Sequence, residues 1–448
     1  MTHAAPARIL VLGAGGREHA LAWKLARESG VREVVVAPGS AGIAQEPGVR
    51  CVAVDPLDPA AVVTLARDAA VDLVVIGPEA PLGAGVADAL EEVGIAVFGP
   101  VRAAARLETS KAYCHEVAEA AGVRMARAGV FRAGEVAGAQ AFIRQLAAEG
   151  ALAVLKADGL AAGKGVIVTD SAEQALELAP SFLAGRPARE PALVIEERLS
   201  GPEASVIAVC DGARAVALPP ARDHKRLCDE DRGPNTGGMG AYSPLPDLDD
   251  EAVEHVLRTI HEPLLAELAR RGTPFRGFLY AGLILTATGP ALLETNVRLG
   301  DPETQAILPR LEVDLAPLLA AAAAAALPAN APPRLPARPD AAVTIVLAAE
   351  GYPGDHRRGD PIAGLDEAEA QGALVFHAGS AARQRPQGGF GTHGGRVLAV
   401  TALGVDLAAA RAKAERAADA IAWDGLQRRH DIARDLPEPV VAAAGSAR

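Results

Sequence analysis

Residues 155–168 read LKADGLAAGKGVIV, two lysines and three glycines set between apolar stretches. The nearest familiar phosphate motif is G-x-x-x-x-G-K-[ST], a strand running into a helix through a loop whose N–H groups cradle phosphates. Aligned on Gly163 and Lys164, that motif wants glycine where Asp158 stands and a hydroxyl residue where Gly165 stands. The right-hand flank, GVIVTD, is β-branched and apolar and predicts a second strand rather than a helix. The stretch therefore reads as strand, glycine-rich connection, strand. Lys156 lies inside the first strand and Lys164 near the tip, an arrangement suited to closing over a polyphosphate. A plain hairpin with solvated lysines is the competing reading, since glycine-rich turns are common punctuation.

Around this stretch the chain has several domains' worth of sequence, 448 residues of which half are hydrophobic, so a large core is expected. Aromatics make up only 3% and the formal net charge is −12, which argues against a nucleic-acid surface built on base stacking and basic footprints. Cys51, Cys114, Cys210 and Cys228 are scattered without a C-x-x-C pair. This argues against a zinc or disulfide framework and points to a reducing compartment. The opening residues lack signal-peptide form, and the longest apolar run, LAPLLAAAAAAAL ending at Leu327, is too short to span a bilayer. A soluble, cytoplasmic protein without membrane or nucleic-acid partners is the expectation.

Residues 8–100 alternate wholly apolar strands with helical stretches, the pattern of a doubly wound parallel sheet covered on both faces. A helix near Lys111–Ala121 follows, then a second α/β stretch from Val123 to Leu193 that holds the glycine-rich connection. ALVIEERL, ASVIAVCDG and ARAVALPP then suggest an antiparallel sheet. Five prolines in residues 328–339 mark a linker. The expected division is 1–103, 104–327 with a separate unit at about 123–193, the linker 328–339, and a small domain 340–448.

Five constellations carry chemistry. In VLGAGGREHA, residues 11–20, Gly13, Gly15 and Gly16 sit between strand and helix, where free N–H groups suit an anion. A dinucleotide site would want glycine at Glu18 and an acid ending the second strand, so a small phosphate ester is favoured over NAD. In VIGPEAPL, residues 75–82, Glu79 ends another strand of the same sheet and can face the same ligand. LVIEERLSGPEAS, residues 193–205, offers Glu196, Glu197 and Glu203 to an adenine edge and ribose, or to solvent. In LLETNVRLGDPET, residues 292–304, Glu294 and Asn296 share one face of a strand, two hard oxygen donors suited to magnesium. Arg298 continues that face and can neutralise a phosphoryl group, with Asp301 and Pro302 beyond it. The fifth, ARDHKRLCDEDRGPNTGGMGAYSP, residues 221–244, carries Asp223 and a glycine-rich loop, Asn235, Thr236, Gly237 and Gly238, whose N–H groups are expected to meet a carboxylate or phosphate. His224 reads as structural or solvated rather than catalytic.

Taken in order, GAGGREHALAWKL, GPEAPL, SKAYC, KADGLAAGKGV, IEERLSGPEAS, DHKR, GPNTGGMGAYSP, GFLYAGL, NVRLGDPETQ, GYPGD and GGRVLAVTALG resemble the phosphoribosylamine–glycine ligase family of the ATP-grasp superfamily, over nearly the whole chain. The resemblance implies an ATP-grasp fold whose glycine-rich loop, including Gly163, Lys164 and Gly165, belongs to a mobile unit closing over ATP. It implies that Lys156 and Lys111 contact phosphates, that Glu196 and Glu197 lie at the adenine end, and that Glu203 meets ribose. Glu294 and Asn296 match metal ligands for magnesium, with manganese as the alternative, and Arg298 a phosphate-facing arginine. Gly15, Gly16 and Glu79 fall at phosphoribosylamine, and Asp223, the Asn235–Gly238 loop, Asp301 and Pro302 where the acceptors meet ATP. The implied reaction activates glycine as glycyl phosphate and passes it to the amine; a monomer is expected.

Thr295 and Leu299 stand where the family usually has aromatic residues, and Arg222 where it often has glutamine; strand alternation points the first two away from the ligand face. FLYAGLILT lacks the metal-binding acid that many ATP-grasp enzymes carry there. Another purine-pathway ATP-grasp enzyme, a non-catalytic nucleotide-binding regulator and a nicotinamide dehydrogenase are the alternatives.

Overall fold

The computed structural model describes residues 5–159, 165–185, 190–384 and 388–437. Gly163 and Lys164 lie outside the described residues.

The N-terminal sheet is parallel throughout, in the order Val49–Cys51, Glu33–Pro38, Arg8–Gly13, Leu73–Ile76, Val97–Phe98. Ile9 to Leu12 are fully buried because helices cover both faces, which is why these strands show no polar alternation. The chain builds outward on one side of Arg8–Gly13 and then restarts on the other. The carboxyl ends of Arg8–Gly13 and Leu73–Ile76 therefore flank the switch point where open sheets bind ligands. Gly13–Gly16 and Gly77–Glu79 sit at that crevice.

Residues 128–197 form a second body. Its antiparallel sheet runs Ala128–Arg132, Pro191–Glu197, Ala153–Ala157, Val166–Val168. The strand, connection, strand reading of the opening stretch holds, with Lys156 paired opposite Val166. Two helices, Val136–Ala148 and Ala172–Leu183, cover the sheet, and Ile143, Leu146, Leu155, Leu183, Leu193 and Ile195 make a core separate from the rest.

One grouping differs from expectation. ALVIEERL joins this sheet, whereas the next strand, Glu203–Asp211, enters a different antiparallel sheet in the order Ala215–Ala217, Glu203–Asp211, Arg276–Thr286, Gly289–Asn296. The chain changes sheets at Gly201, whose φ is +149° and whose missing side chain leaves room for the Leu285 carbonyl. Both strands have a continuous apolar centre, ALVI and VIAVC, so their patterns carry no sign of which sheet they join.

The last sheet runs Arg222–Asp223, Gly240–Ser243, Ala341–Ala348, Arg396–Gly404, Leu374–His377, mixing strands from either side of the proline-rich segment. Helix Leu407–Ala420 packs on it, its N-terminus capped by Asp406, which accepts the Ala409 N–H at 2.7 Å. The proline-rich segment has no regular structure but is pinned to Ala217, which donates to Pro333 O and accepts from Leu335 N, both at 2.8 Å. No helix among the described residues is long and apolar enough to cross a membrane.

Candidate active site

At the switch point Glu18 fills the space left by Gly13 and Gly77, where any Cβ would meet its side chain. Its carboxylate accepts the Gly15 N–H at 2.7 Å and the Arg17 guanidinium at 2.6 Å, and it is 2% exposed. The Gly15 amide read from sequence as an open anion donor is thus partnered by a carboxylate within the chain; the position where a dinucleotide fold wants glycine is the residue that takes it. Arg298 reaches into the same crevice, 3.2 Å from Glu79 and 2.9 Å from Glu108. Burial pushes the Glu79 carboxyl up, but Arg298 and Arg17 overcome it and hold Glu79 below the usual range. Glu108, which accepts the Val297 N–H at 2.8 Å, is raised because burial outweighs Arg298.

Arg298 follows the strand Gly289–Asn296 and donates to Asn296 Oδ1 at 3.1 Å, so Glu294, Asn296 and Arg298 share a side as their spacing predicts. Thr295 points the other way, 4% exposed, and its hydroxyl donates to Leu107 O at 2.8 Å. Leu299 is buried in the N-terminal core. Both departures from the family pattern therefore lie inside the protein.

Glu294 is the centre of the charged region. Burial alone would raise its carboxyl; Lys225, Lys156, Arg298 and Lys111 together hold it below the ordinary value. These four cations come from four segments of the chain, and Lys225 Nζ stands 3.6 Å from Glu294 Oε1. Each lysine also has a protein partner. Lys225 lies 2.7 Å from Glu203, Lys156 lies 2.7 Å from Glu196 and donates to Leu293 O at 3.1 Å, and Lys111 donates to Gly159 O at 3.0 Å. Among the described residues no three His, Cys, Asp or Glu side chains are arranged to hold a metal ion. Glu294 and Asn296 nonetheless supply two hard oxygen donors on one face, which suits a divalent cation whose other ligands come from a phosphate chain.

On the hairpin side, helix Lys111–Ala120 begins at Ser110, whose hydroxyl accepts the Tyr113 N–H at 3.1 Å. Asp158, the residue that broke the phosphate-loop pattern, accepts the Ala112 N–H at 3.0 Å and the Ser110 hydroxyl, tying the hairpin to that helix. The Glu196 carboxylate turns inward onto Lys156 and onto His115 Nε2 at 2.8 Å, while Glu197 stays partly exposed, 3.7 Å from Arg127.

The glycine-rich loop Asn235–Gly238 differs from its sequence reading. Thr236 N donates to Lys225 O, Gly237 N to the Tyr352 hydroxyl at 2.9 Å, Gly238 N to Thr236 Oγ1 at 3.0 Å and Met239 N to His224 O. The loop's N–H groups are spent within the chain and do not form an open anion nest. Gly238, at φ +110°, leaves room for the Pro302 ring, and Asp301 binds Arg396 at 2.8 Å and Gln305 at 2.7 Å. Asp223 lies among Lys225, Glu303, Glu203 and Glu294; burial, then the three acids against one lysine, push its carboxyl up to about 8. His224 is held neutral, pushed down to about 4 by burial and by Arg429. Arg222 grips Asp247 at 2.7 and 3.0 Å and the Tyr242 hydroxyl at 3.0 Å, a structural tie.

Sequence reasoning missed Glu18, Arg17, Glu108, Lys225, Tyr352 and Arg396. Lys225 was within a quoted motif and one residue from His224. Glu18 and Arg17 also lay within a quoted motif, and Glu18 stands three residues after Gly15, the capping-box spacing that could have found it. Glu108, Tyr352 and Arg396 act through contacts with distant segments, for which no local spacing exists.

Three family models match in succession: the phosphoribosylglycinamide synthetase N domain over residues 7–108, its ATP-grasp (A) domain over 109–304, and its C domain over 342–435. A phosphoribosylamine–glycine ligase of Streptomyces coelicolor is 50% identical over 431 residues, covering 95% of this chain and 98% of the relative. That of Rhodopirellula baltica is 45% identical, covering 95% and 96%. The crystal structure of the Thermotoga maritima phosphoribosylamine–glycine ligase superposes with a TM-score of 0.76 at 34% identity, over 95% of this chain and all of that one. The biotin carboxylase domain of Hydrogenobacter thermophilus 2-oxoglutarate carboxylase, at 17% identity and a TM-score of 0.68 over 95% of this chain and 92% of that one, shares the fold.

Proposed function

The chain belongs to the phosphoribosylamine–glycine ligase family, enzymes that use ATP to join glycine to phosphoribosylamine in purine biosynthesis, and from that premise we propose how its residues carry the reaction. The observation that carries the reading is the convergence of Lys111, Lys156, Lys225 and Arg298 on Glu294. Such a set of cations around one carboxylate suits a polyphosphate held beside a cation.

Glycine's carboxylate oxygen attacks the γ-phosphorus of ATP, ADP leaves, and glycyl phosphate forms. The amine of phosphoribosylamine then attacks the activated carbonyl, the amide forms, and phosphate and a proton depart. Little covalent work falls to side chains in phosphoryl transfer, so the protein's part is positioning and charge neutralisation. Lys111 and Lys156 bind the phosphates, with Gly163, Lys164 and Gly165 closing over them. The strand ending in Glu196 and Glu197 borders the adenine, and Glu203 the ribose. Glu294 and Asn296 would hold magnesium, or manganese in its place, which when bound supplies further neutralisation of the phosphate charge. Arg298 faces the transferring phosphoryl group while Glu79 and Glu108 hold its guanidinium. Gly15, Gly16 and Glu79 border phosphoribosylamine; Asp223, Asn235, Thr236, Gly237, Gly238, Asp301 and Pro302 border glycine and the acyl group. The protein works in the cytoplasm as a monomer.

The test is ADP release with ATP, magnesium and glycine, with and without phosphoribosylamine formed from ribose 5-phosphate and ammonia. Release that requires both acceptors supports the reading. ATP binding without glycine-dependent turnover would move the weight to a non-catalytic nucleotide-binding role.

A further inference from the structure

Arg396 opens the strand Arg396–Gly404 of the last sheet, yet its side chain serves two segments of the central region. Nη1 donates to Gly237 O at 2.6 Å and to Asp301 O at 2.7 Å, and Nη2 donates to the Asp301 carboxylate at 2.8 Å. From a neighbouring loop Tyr352 accepts the Gly237 N–H at 2.9 Å, its ring lying against Gly395, where a Cβ would strike it. The other Asp301 oxygen accepts from Gln305 at 2.7 Å. Both oxygens of this carboxylate are thus engaged within the protein, and the guanidinium bridges Gly237 to Asp301. A planar fork with several fixed donors can hold acceptors from two chain segments at once, which a lysine's single ammonium does less rigidly.

We propose that Arg396, seconded by Tyr352, is a positioning residue for the ligase reaction: it locks the Asn235–Gly238 loop to Asp301 and thereby sets the pocket in which glycine is activated. The last sheet contributes to catalysis through this clamp, and Asp301 acts as its anchor. The inference rests on the reading that this loop borders glycine.

Steady-state kinetics of Arg396→Lys, Arg396→Ala, Tyr352→Phe and Asn235→Ala test it, alongside thermal unfolding and ADP affinity measured without glycine. A misplacement of about 1 Å lowers rates by about 100-fold, so kcat/KM for glycine should fall by about that factor in Arg396→Ala, and less in Arg396→Lys and Tyr352→Phe. ADP affinity should stay near wild type in all four, and the unfolding midpoint near wild type in Arg396→Lys and Tyr352→Phe; Arg396→Ala, which leaves the Asp301 carboxylate without its ion pair, should unfold at a lower temperature. If Arg396→Ala does not fold, Arg396→Lys and Tyr352→Phe decide. Wild-type glycine kinetics in both, with a raised glycine KM in Asn235→Ala, would overturn the clamp and leave the loop's placement standing. Unchanged kinetics in Asn235→Ala as well would overturn both. Parallel loss of activity, ADP affinity and stability would make Arg396 merely structural and overturn the proposal.

Discussion

At the N-terminal crevice Arg17 pairs with Glu18 while Arg298 reaches across from the next domain to Glu79 and Glu108, whereas around Glu294 each lysine rests on a carboxylate or carbonyl from another segment. The first arrangement is preformed: its acids and arginines are packed, largely buried and mutually hydrogen-bonded, so a ligand finds the geometry already set. The second is a set of exchangeable pairs. Lys156 on Glu196 and Lys225 on Glu203 keep buried or half-buried cations satisfied within the chain, and under the proposed function a polyphosphate takes over the same ammonium groups, with His115 remaining on Glu196. The difference teaches which changes should affect folding and which should affect chemistry alone.

The sharpest break is Glu294→Ala. Its side chain is 41% exposed and has no hydrogen bond among the described residues, so unfolding should be little changed, while turnover should fall by more than about 100-fold as the charge centre is lost. Near-normal turnover would remove Glu294 from the site. Arg298→Met should act on both quantities. It should lose turnover by about 100-fold or more, and it leaves the Glu108 carboxylate buried without its partner, at about 3–5 kcal/mol. Adding Glu108→Gln should recover the unfolding midpoint without the rate; recovery of both would place Arg298 among purely structural residues.

Within the exchangeable side, Lys156→Met should lower kcat by about 100-fold, whereas Lys164→Met should cost only a few-fold. Equal losses, read by single-turnover ADP formation, would mean that the loop tip matters as much as the strand. The smallest effect concerns the seam that joins the crevice helix, Gly16–Leu25, to the last sheet. There His377 N donates to His19 Nδ1 at 2.8 Å and His377 Nδ1 bonds Ser380 at 2.6 Å. Burial, with His19 beside it, pushes the His377 imidazole down to about 4. A free histidine titrates near 6.5, so the unfolded chain binds the extra proton first. The seam's contribution is complete above about pH 6.5 and shrinks as pH falls toward 4. His377→Asn should show a shallower loss of unfolding midpoint over that window; an unchanged slope would exclude His377 as the source.

Much of this molecule was legible along the chain because strand alternation is a property of the local backbone. The period of two put Glu294, Asn296 and Arg298 on one side and Thr295 on the other, and the β-branched GVIV after the glycines announced a strand where a phosphate loop needs a helix. The uniform apolar strands before residue 100 announced a parallel sheet buried on both faces, and its switch point then followed from strand order. What tertiary structure decided is where distant segments meet. Whether ALVIEE or ASVIAV shares a sheet with the hairpin, whether the Asn235–Gly238 loop keeps free N–H groups, and whether Asp301 is engaged within the chain all depend on distant partners such as Tyr352 and Arg396, whereas the Gly15 amide is taken by Glu18 only three residues on. Apolar strands carry no address for their neighbours, and an arginine 95 residues from its carboxylate leaves no spacing to read. Only packing brings those groups within hydrogen-bonding distance, because the hydrophobic core sets which elements touch and the polar contacts form where it leaves them.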